Sequence, residues 1–167
     1  MKKFLNQYIW DPHELGLRFL GKLIETFAEK NPCFALDDTM VPKYGKKIYG
    51  RATHFDHAAK ENLAQYIKGH NWIVMGFLKR IPAFSKWICF PILAELFIPK
   101  KACQNGDKFL TKIELSLNMV KRLRDRLGIH FNVVADALFA KEKFVRGCKE
   151  MDVTLISRLR KDAALYE

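Results

Sequence analysis

Two short apolar stretches of this chain run directly into aspartate, and they limit its fold more than any other feature. Residues 34–39 read FALDDT, and residues 131–137 read FNVVADA. A short apolar run of this kind predicts a buried strand, and the acid marks where the strand leaves the core. Asp37 and Asp136 would then lie at two strand ends, where a pair of carboxylates suits a shared divalent-metal site. The alternative for each is a residue that begins a turn or caps the following helix, which is a common position for aspartate.

The net charge favours a polyanionic partner. The chain has 167 residues with 49% hydrophobic content, enough for one domain with a sizeable core. Lys and Arg number 29 against 18 Asp and Glu, which gives a formal net charge of +11. Nucleic acid is the first partner that this excess suggests, and an anionic membrane surface is the second.

Cysteine usage and hydropathy predict a soluble cytoplasmic protein with no membrane span. The four cysteines are widely scattered, and no C-x-x-C pair suggests a zinc ribbon or a redox motif. We expect them to be reduced and mostly buried thiols. The most apolar run, residues 87–94, is far shorter than the roughly 20 residues that a membrane-spanning helix needs. No secretory signal core follows the basic start of the chain.

Periodicity and punctuation predict an α/β fold with a mixed sheet and helices packed on it. We expect a helix within residues 1–30, with Asp11 as its N-cap before Pro12. The clearest helix is predicted over residues 107–127, capped by Asp107, and another over 138–149 with Phe144, Val145 and Cys148 on its inner face. Five strands are predicted, at residues 33–38, 72–78, 87–90 (stopped by Pro91), 131–136 and 153–157. Three early strands followed by alternating helices and strands are typical of a mixed sheet.

Residues 42–51, PKYGKKIYGR, form a glycine-containing basic segment. Such a loop or hairpin can lie along a phosphate backbone, or it can be a solvated hairpin with no partner. The following residues, His54 to His57, include two histidines and an acid. Zinc would need further ligands that are not nearby in the sequence, so we expect a turn with hydrogen-bonded or exposed histidines.

Three motifs in order give this chain its resemblance to a known family. Residues 36–39, LDDT, followed by Pro42-Lys43 and the GKK of residues 45–47, resemble the first-aspartate region of the DDE transposases of insertion sequences. Residues 133–139, VVADALF, resemble the second-aspartate motif, and residues 156–160, ISRLR, resemble the strand that follows. This resemblance to the DDE superfamily endonucleases covers about residues 30–167 and implies a ribonuclease H-like fold, whose first and fourth strands end in metal-binding aspartates.

The resemblance implies roles for particular residues. Asp37 and Asp136 would be catalytic and would hold Mg²⁺ or Mn²⁺, with Asp38 as the alternative to Asp37 if the strand register is shifted by one. The DNA, meaning transposon ends and target, would be contacted at phosphates by Lys43, Lys46, Lys47, Arg51, Arg158 and Arg160. A homodimer is one assembly that the resemblance allows for the intact family protein.

The chain also departs from the family pattern, because the third acid of the family is a glutamate on a later helix. Glu142, Glu150 and Glu167 lie too early for this role or at the terminus. We therefore expect an N-terminal helical segment at residues 1–30 and a partial catalytic core at 31–167, in a truncated and inactive transposase fragment. The alternative is a non-catalytic nucleic-acid-binding module whose aspartates only begin turns and cap helices.

Overall fold

The sheet of this protein has a long antiparallel part and a short parallel part. A computed structural model describes residues 10–45, 47–56, 65–81, 85–104 and 106–159. Six strands lie in one sheet: β1 (Cys33–Pro42), β2 (Ala52–Phe55), β3 (Tyr66–Ile81), β4 (Lys86–Phe97), β5 (Phe131–Ala135) and β6 (Val153–Ser157).

The pairing of these strands places β1 at the centre. Strand β1 pairs with β3 in the antiparallel sense on one side and with β5 in the parallel sense on the other. Strand β5 continues in parallel to β6, and β3 pairs antiparallel with both β2 and β4. The mixed α/β class and the ribonuclease H-like fold expected from the sequence are confirmed.

In the described part of the chain, three α-helices pack on the sheet. Helix α1 (Pro12–Phe27) begins after Asp11, whose side chain accepts a hydrogen bond from the His13 amide, as predicted. Helix α2 (Lys112–Leu127) ends at Gly128, which has the left-handed backbone that glycine adopts readily. The remaining helix is α3 (Glu142–Glu150), and a short 3₁₀ turn spans Lys100–Ala102.

The core lies on one face of the sheet. Alternate residues of β1 and β5, such as Phe34, Leu36 and Val133, are buried and join one apolar cluster with residues of all three helices. On the opposite side, which we call the open face, Val134 and Ile156 are 37% and 50% exposed. Within the described part of the chain, the helices therefore cover one face. The open face is accessible at β5 and β6, whereas at His70 of β3, which is 9% exposed, the Tyr49 backbone covers it.

Several predicted boundaries were wrong. Strand β4 does not stop at Pro91. Met75 pairs with Leu93 and Gly76 with Pro91, so a β-bulge follows the proline. Proline is tolerated here because β4, among the described residues, pairs only with β3 and so lies at the edge of the sheet. Helix α2 does not begin at Asp107, whose carboxylate instead accepts hydrogen bonds from the Tyr49 hydroxyl and the Gln104 amide.

The N-cap of α2 is Thr111, which forms a capping box with Glu114. Helix α3 begins at Glu142 and not at residue 138. Phe144 and Cys148 face the core as predicted, but Val145 is 47% exposed because it lies on the outer side of the helix.

The histidine segment is not a turn. His54 lies in β2 and is buried, whereas His57 falls outside the described residues. Of the four cysteines, Cys148 is buried and Cys89 is exposed, so the expectation of mostly buried thiols holds only in part. All four are free thiols.

Candidate metal centre and nucleic-acid interface

The structure brings Asp37 and Asp136 together. Leu36 of β1 is in register with Ala135 of β5, and the next residue of each parallel strand is the aspartate. Both aspartates are exposed, whereas Leu36 and Ala135 are buried. Because successive residues of a strand point to opposite faces, the two carboxylates lie side by side on the open face, where the pairing of β1 with β5 ends. The prediction that the first strand ends at residue 38 was wrong, because β1 continues to Pro42 in its pairing with β3.

The surroundings of Asp37 disfavour its negative charge. Removal of water by the neighbouring strands, followed by the charges of Asp38 and Asp136, raises the pKa of the Asp37 carboxyl above its ordinary value. The Asp38 amide donates a 2.8 Å hydrogen bond to Oδ1 of Asp37, which lowers the pKa and so partly offsets this rise. A cation between the two carboxylates would relieve this repulsion.

Asp38 points to the core face and is already paired. Lys112 Nζ lies 2.5 Å from its Oδ2 in an ion pair whose side chains are 25% and 19% exposed. Asn71 Nδ2 donates to the same oxygen at 3.1 Å. Burial tends to raise the pKa of Asp38, but the hydrogen bonds from Lys112 and Asn71 outweigh it and lower the pKa. Asp38 is therefore engaged by Lys112 and Asn71, whereas Asp37 lies on the open face next to Asp136.

Asp136 combines a turn role with an available oxygen. Its Oδ1 accepts a 2.8 Å hydrogen bond from the Leu138 amide, which is the turn geometry that the alternative interpretation predicted. The Ser157 hydroxyl donates to the Asp136 carbonyl oxygen at 2.8 Å and ties the end of β5 to the end of β6. Among the hydrogen bonds of the described residues, Oδ2 of Asp136 has no partner, so one carboxylate oxygen can face an ion.

The donor set fits a hard divalent cation only in part. Carboxylate oxygens are what Mg²⁺ prefers, and it retains several waters when few protein ligands are offered. In the described part of the chain, no group of three or more His, Cys, Asp or Glu side chains could hold a metal ion. Glu142 and Glu150 lie on α3, which packs on the core face, so neither can join the pair on the open face.

The predicted phosphate contacts differ in how accessible they are. Lys43 is half-buried, whereas Lys47 and Arg158 are exposed. Arg51 is less available, because its Nε donates a 2.8 Å hydrogen bond to the Lys43 carbonyl and closes the basic loop on itself. Lys46 and Arg160 lie outside the described residues.

Sequence reasoning missed the polar residues behind the acid pair. Lys112 is the first residue of α2, and Asn71 lies within the apolar strand β3, so neither carries a local signal of its role. His54 lies in the same region, and burial lowers the pKa of its imidazole. Its Nε2 has no hydrogen-bond partner among the described residues.

The structure contains no helical membrane span in its described part, where every helix is too short or too polar to cross a bilayer.

Comparison with known proteins identifies relatives of one kind. The family model described as DDE superfamily endonuclease matches residues 1–167. The chain is 25% identical over 162 residues to the "Probable transposase for insertion sequence element IS701" of Microchaete diplosiphon, a match that covers 94% of this chain and 39% of that protein. A solved structure, the Mos1 transposase paired-end complex with left transposon end, aligns with a TM-score of 0.36 and 8% identity over 89% of this chain and 43% of that one. The chain thus spans less than half the length of each of these two proteins.

Proposed function

Since the chain belongs to the DDE superfamily endonuclease family, we propose that it is part of an insertion-sequence transposase and carries two acids of its DNA-cleaving site, Asp37 and Asp136. The observation that supports this most directly is the parallel pairing of β1 and β5, in which Leu36 lies beside Ala135 and each strand then ends its buried run in an aspartate. Turn or cap residues at unrelated strand ends would have no reason to fall in register on the same face.

Both residues of the pair have a part in this proposal. Divalent ions of this kind, Mg²⁺ or Mn²⁺, polarise the attacking oxygen and stabilise the leaving oxygen in phosphoryl transfer. Asp37 and Asp136 would hold these ions, each through the carboxylate oxygen that has no hydrogen-bond partner in the described structure. Asp38 stays bound to Lys112 and supports the strand that carries Asp37.

We propose that this chain by itself neither nicks nor joins DNA. Two carboxylates hold a metal pair poorly, because Mg²⁺ prefers a fuller oxygen shell and gives up its water reluctantly. In the family pattern the missing ligand is a glutamate, and the described residues place none beside Asp37 and Asp136.

DNA would be held by charge. We propose that Lys43, Lys46, Lys47, Arg158 and Arg160 contact phosphates, with Arg51 acting mainly to shape the loop that carries Lys43. The intact protein would act on transposon ends and target DNA in the cytoplasm, as a homodimer. Residues 31–167 would belong to its ribonuclease H-like catalytic core, and residues 1–30 to the segment before it.

Metal binding tests the proposal. Isothermal titration calorimetry with Mn²⁺ should show weak binding to the parent chain and no binding to Asp37→Asn or Asp136→Asn. The matched control is Asp125→Asn, which changes an exposed aspartate on α2 and should bind as the parent does. If all three variants bind alike, the acid pair is not the metal site.

A stability readout separates loss of a ligand from damage to the fold. The folded-state pKa of Asp37 is raised, so its charge disfavours folding at pH values above that pKa. Asp37→Asn removes this cost at neutral pH and should raise the free energy of unfolding by no more than about 1 kcal/mol, since the side chain is exposed and solvent-screened. A marked loss of stability would mean that Asp37 is a structural residue.

The rival function, a non-catalytic nucleic-acid-binding module, is favoured by the turn role of Asp136 and by the net charge of +11. Both functions predict DNA binding that weakens steeply with salt, and a flatter salt slope when Lys43, Lys46 and Lys47 are changed to alanine. Only the transposase fragment predicts metal binding that depends on both aspartates.

A further inference from the structure

The hairpin formed by β2 and the start of β3 carries an exposed aromatic pair. Phe55 and Tyr66 face each other across the two strands, with ring centroids 5.4 Å apart and an angle of 76° between the planes. Phe55 is 42% exposed and Tyr66 is 64% exposed. Large aromatic side chains grouped at a protein surface mark sites of interaction more often than isolated ones do.

The hairpin also carries a cation and a hydroxyl beside the rings. Lys68 pairs with Thr53 in the next register position along the same face, and both residues are exposed. The backbone of the basic loop reaches this point, because the Lys43 amide donates a 3.0 Å hydrogen bond to the Lys68 carbonyl. An aromatic pair, Lys68 and the basic loop are therefore grouped at one end of the sheet.

This group lies on the same face as the acid pair. Asp37 pairs with Val74 of β3, and every second residue of a strand shares a face, so residues 74, 72, 70, 68 and 66 form one row. The row is not open throughout, because His70 is only 9% exposed and its Nε2 lies 2.8 Å from the Tyr49 carbonyl oxygen of the basic loop. Tyr66 lies eight positions before Val74, which is a distance of about 26 Å along an extended strand, so a DNA strand of a few nucleotides that joined the two sites would pass over this loop.

We propose that the β2–β3 hairpin binds unpaired bases of a DNA strand whose backbone continues over the basic loop to Asp37 and Asp136. A base stacks on Tyr66 or Phe55, because every base offers a flat face to an aromatic ring regardless of sequence, and Lys68 contacts the adjoining phosphate. The approach to the acid pair rests on the proposed function, whereas stacking at the hairpin does not. The cations beside the rings favour a polyanion over an apolar protein surface as the occupant.

The test compares two aromatic residues of nearly equal exposure. Trp87 is 66% exposed and lies at the other end of the long β3–β4 pair, opposite Arg80. The probe is a fluorescein-labelled oligothymidine of about ten nucleotides, within the range of known single-strand sites, measured by anisotropy in EDTA so that metal plays no part. Tyr66→Ala should weaken binding at least about fivefold, Tyr66→Phe should restore it, and Trp87→Ala should match the parent. Lys68→Ala should reduce the slope of log affinity against log salt by about 0.7.

The outcomes separate this inference from the proposed function. Equal affinities for Tyr66→Ala and Trp87→Ala, with duplex binding intact, would overturn the stacking site and leave the transposase proposal standing. Loss of binding to every DNA, by the parent chain as well, would overturn both. A dimer that dissociates in Tyr66→Ala, without a change in oligothymidine affinity, would assign the hairpin to contact between two copies and also overturn the inference.

Discussion

Replacing Lys112 by methionine tests whether the ion pair behind Asp37 holds the acid-bearing strand in place. Lys112 Nζ lies 2.5 Å from Asp38 Oδ2 and 5.5 Å from the Phe97 ring centre, within cation–π distance. Methionine is also unbranched, and it removes the charge and with it both the ion pair and the contact of the cation with the ring. The Asp38 carboxylate would then remain largely out of water with Asn71 as its main donor.

The size of the effect follows from how far the pair is buried. Removing one partner of a fully buried pair costs about 3–5 kcal/mol, and fully exposed pairs contribute about 0–1 kcal/mol. With side chains 25% and 19% exposed, this pair lies between the two limits. We expect Lys112→Met to lower the free energy of unfolding by about 2 kcal/mol, which for a chain of this size lowers Tm by about 4–8 °C.

The coupling energy between Lys112 and Asp38 is measured by urea unfolding of four proteins: the parent, Lys112→Met, Asp38→Asn and the double variant. We expect a coupling energy of about 1 kcal/mol or more, since the double variant leaves no charge unpaired. Lys22→Met is the control, because Lys22 and Glu25 form an exposed pair on α1 at 2.8 Å, and its urea midpoint should not move measurably.

The pH dependence gives a second check with a definite sign. The folded-state pKa of Asp38 is lowered, so the stabilisation is complete above the ordinary value of about 4 and is lost as pH falls through the lower folded value. A Lys112→Met variant as stable as Lys22→Met, or a coupling energy near zero, would refute the idea that this pair anchors the strand.

Two further predictions concern the helices. Gly16→Ala should destabilise the protein by about 1–3 kcal/mol, because the new Cβ would lie 1.9 Å from the Ile92 carbonyl oxygen. The Cβ of Gly21→Ala on the same helix meets nothing within 4 Å, so this variant should stabilise the protein by about 0.5–1 kcal/mol. Urea midpoints that shift in the same direction for both variants would contradict this packing of α1 on β4. Hydrogen bonds from Lys143 and from Thr111 lower the pKa of Glu114 to about 2, so its stabilising effect should be complete above about pH 4.3 and disappear as the pH falls toward 2. Glu114→Gln should flatten the acid limb of a stability profile, and an equal flattening in Glu142→Gln, an exposed acid on α3, would argue against this assignment.

The sequence by itself determined the features that depend on neighbouring residues. The apolar runs before Asp37 and Asp136 indicated two strands whose buried runs lead into an acid, although β1 continues past Asp37 to Pro42. The Asp11 cap and the Gly128 stop were correctly identified. These signals are local, because burial alternates along a strand and helix ends require particular side chains or a left-handed residue. The order of the predicted helices and strands indicated the α/β class, and the family motifs added the ribonuclease H-like fold.

Tertiary structure alone decided which acid is available and which face is open. Asp37 and Asp38 are adjacent and chemically identical, and the contacts of Asp38 with Lys112 and Asn71, 74 and 33 residues away in sequence, show that Asp38 is already paired on the core side. Pro91 stops a strand by local rules, but a bulge opposite Met75 and Gly76 lets β4 continue. Local rules predicted Asp107 as a helix cap, but its carboxylate accepts a hydrogen bond from the hydroxyl of Tyr49, 58 residues away in sequence. Each of these outcomes depends on contacts between distant segments, whose pairing is fixed by how the whole sheet and its helices bury their apolar surface and not by any local pattern.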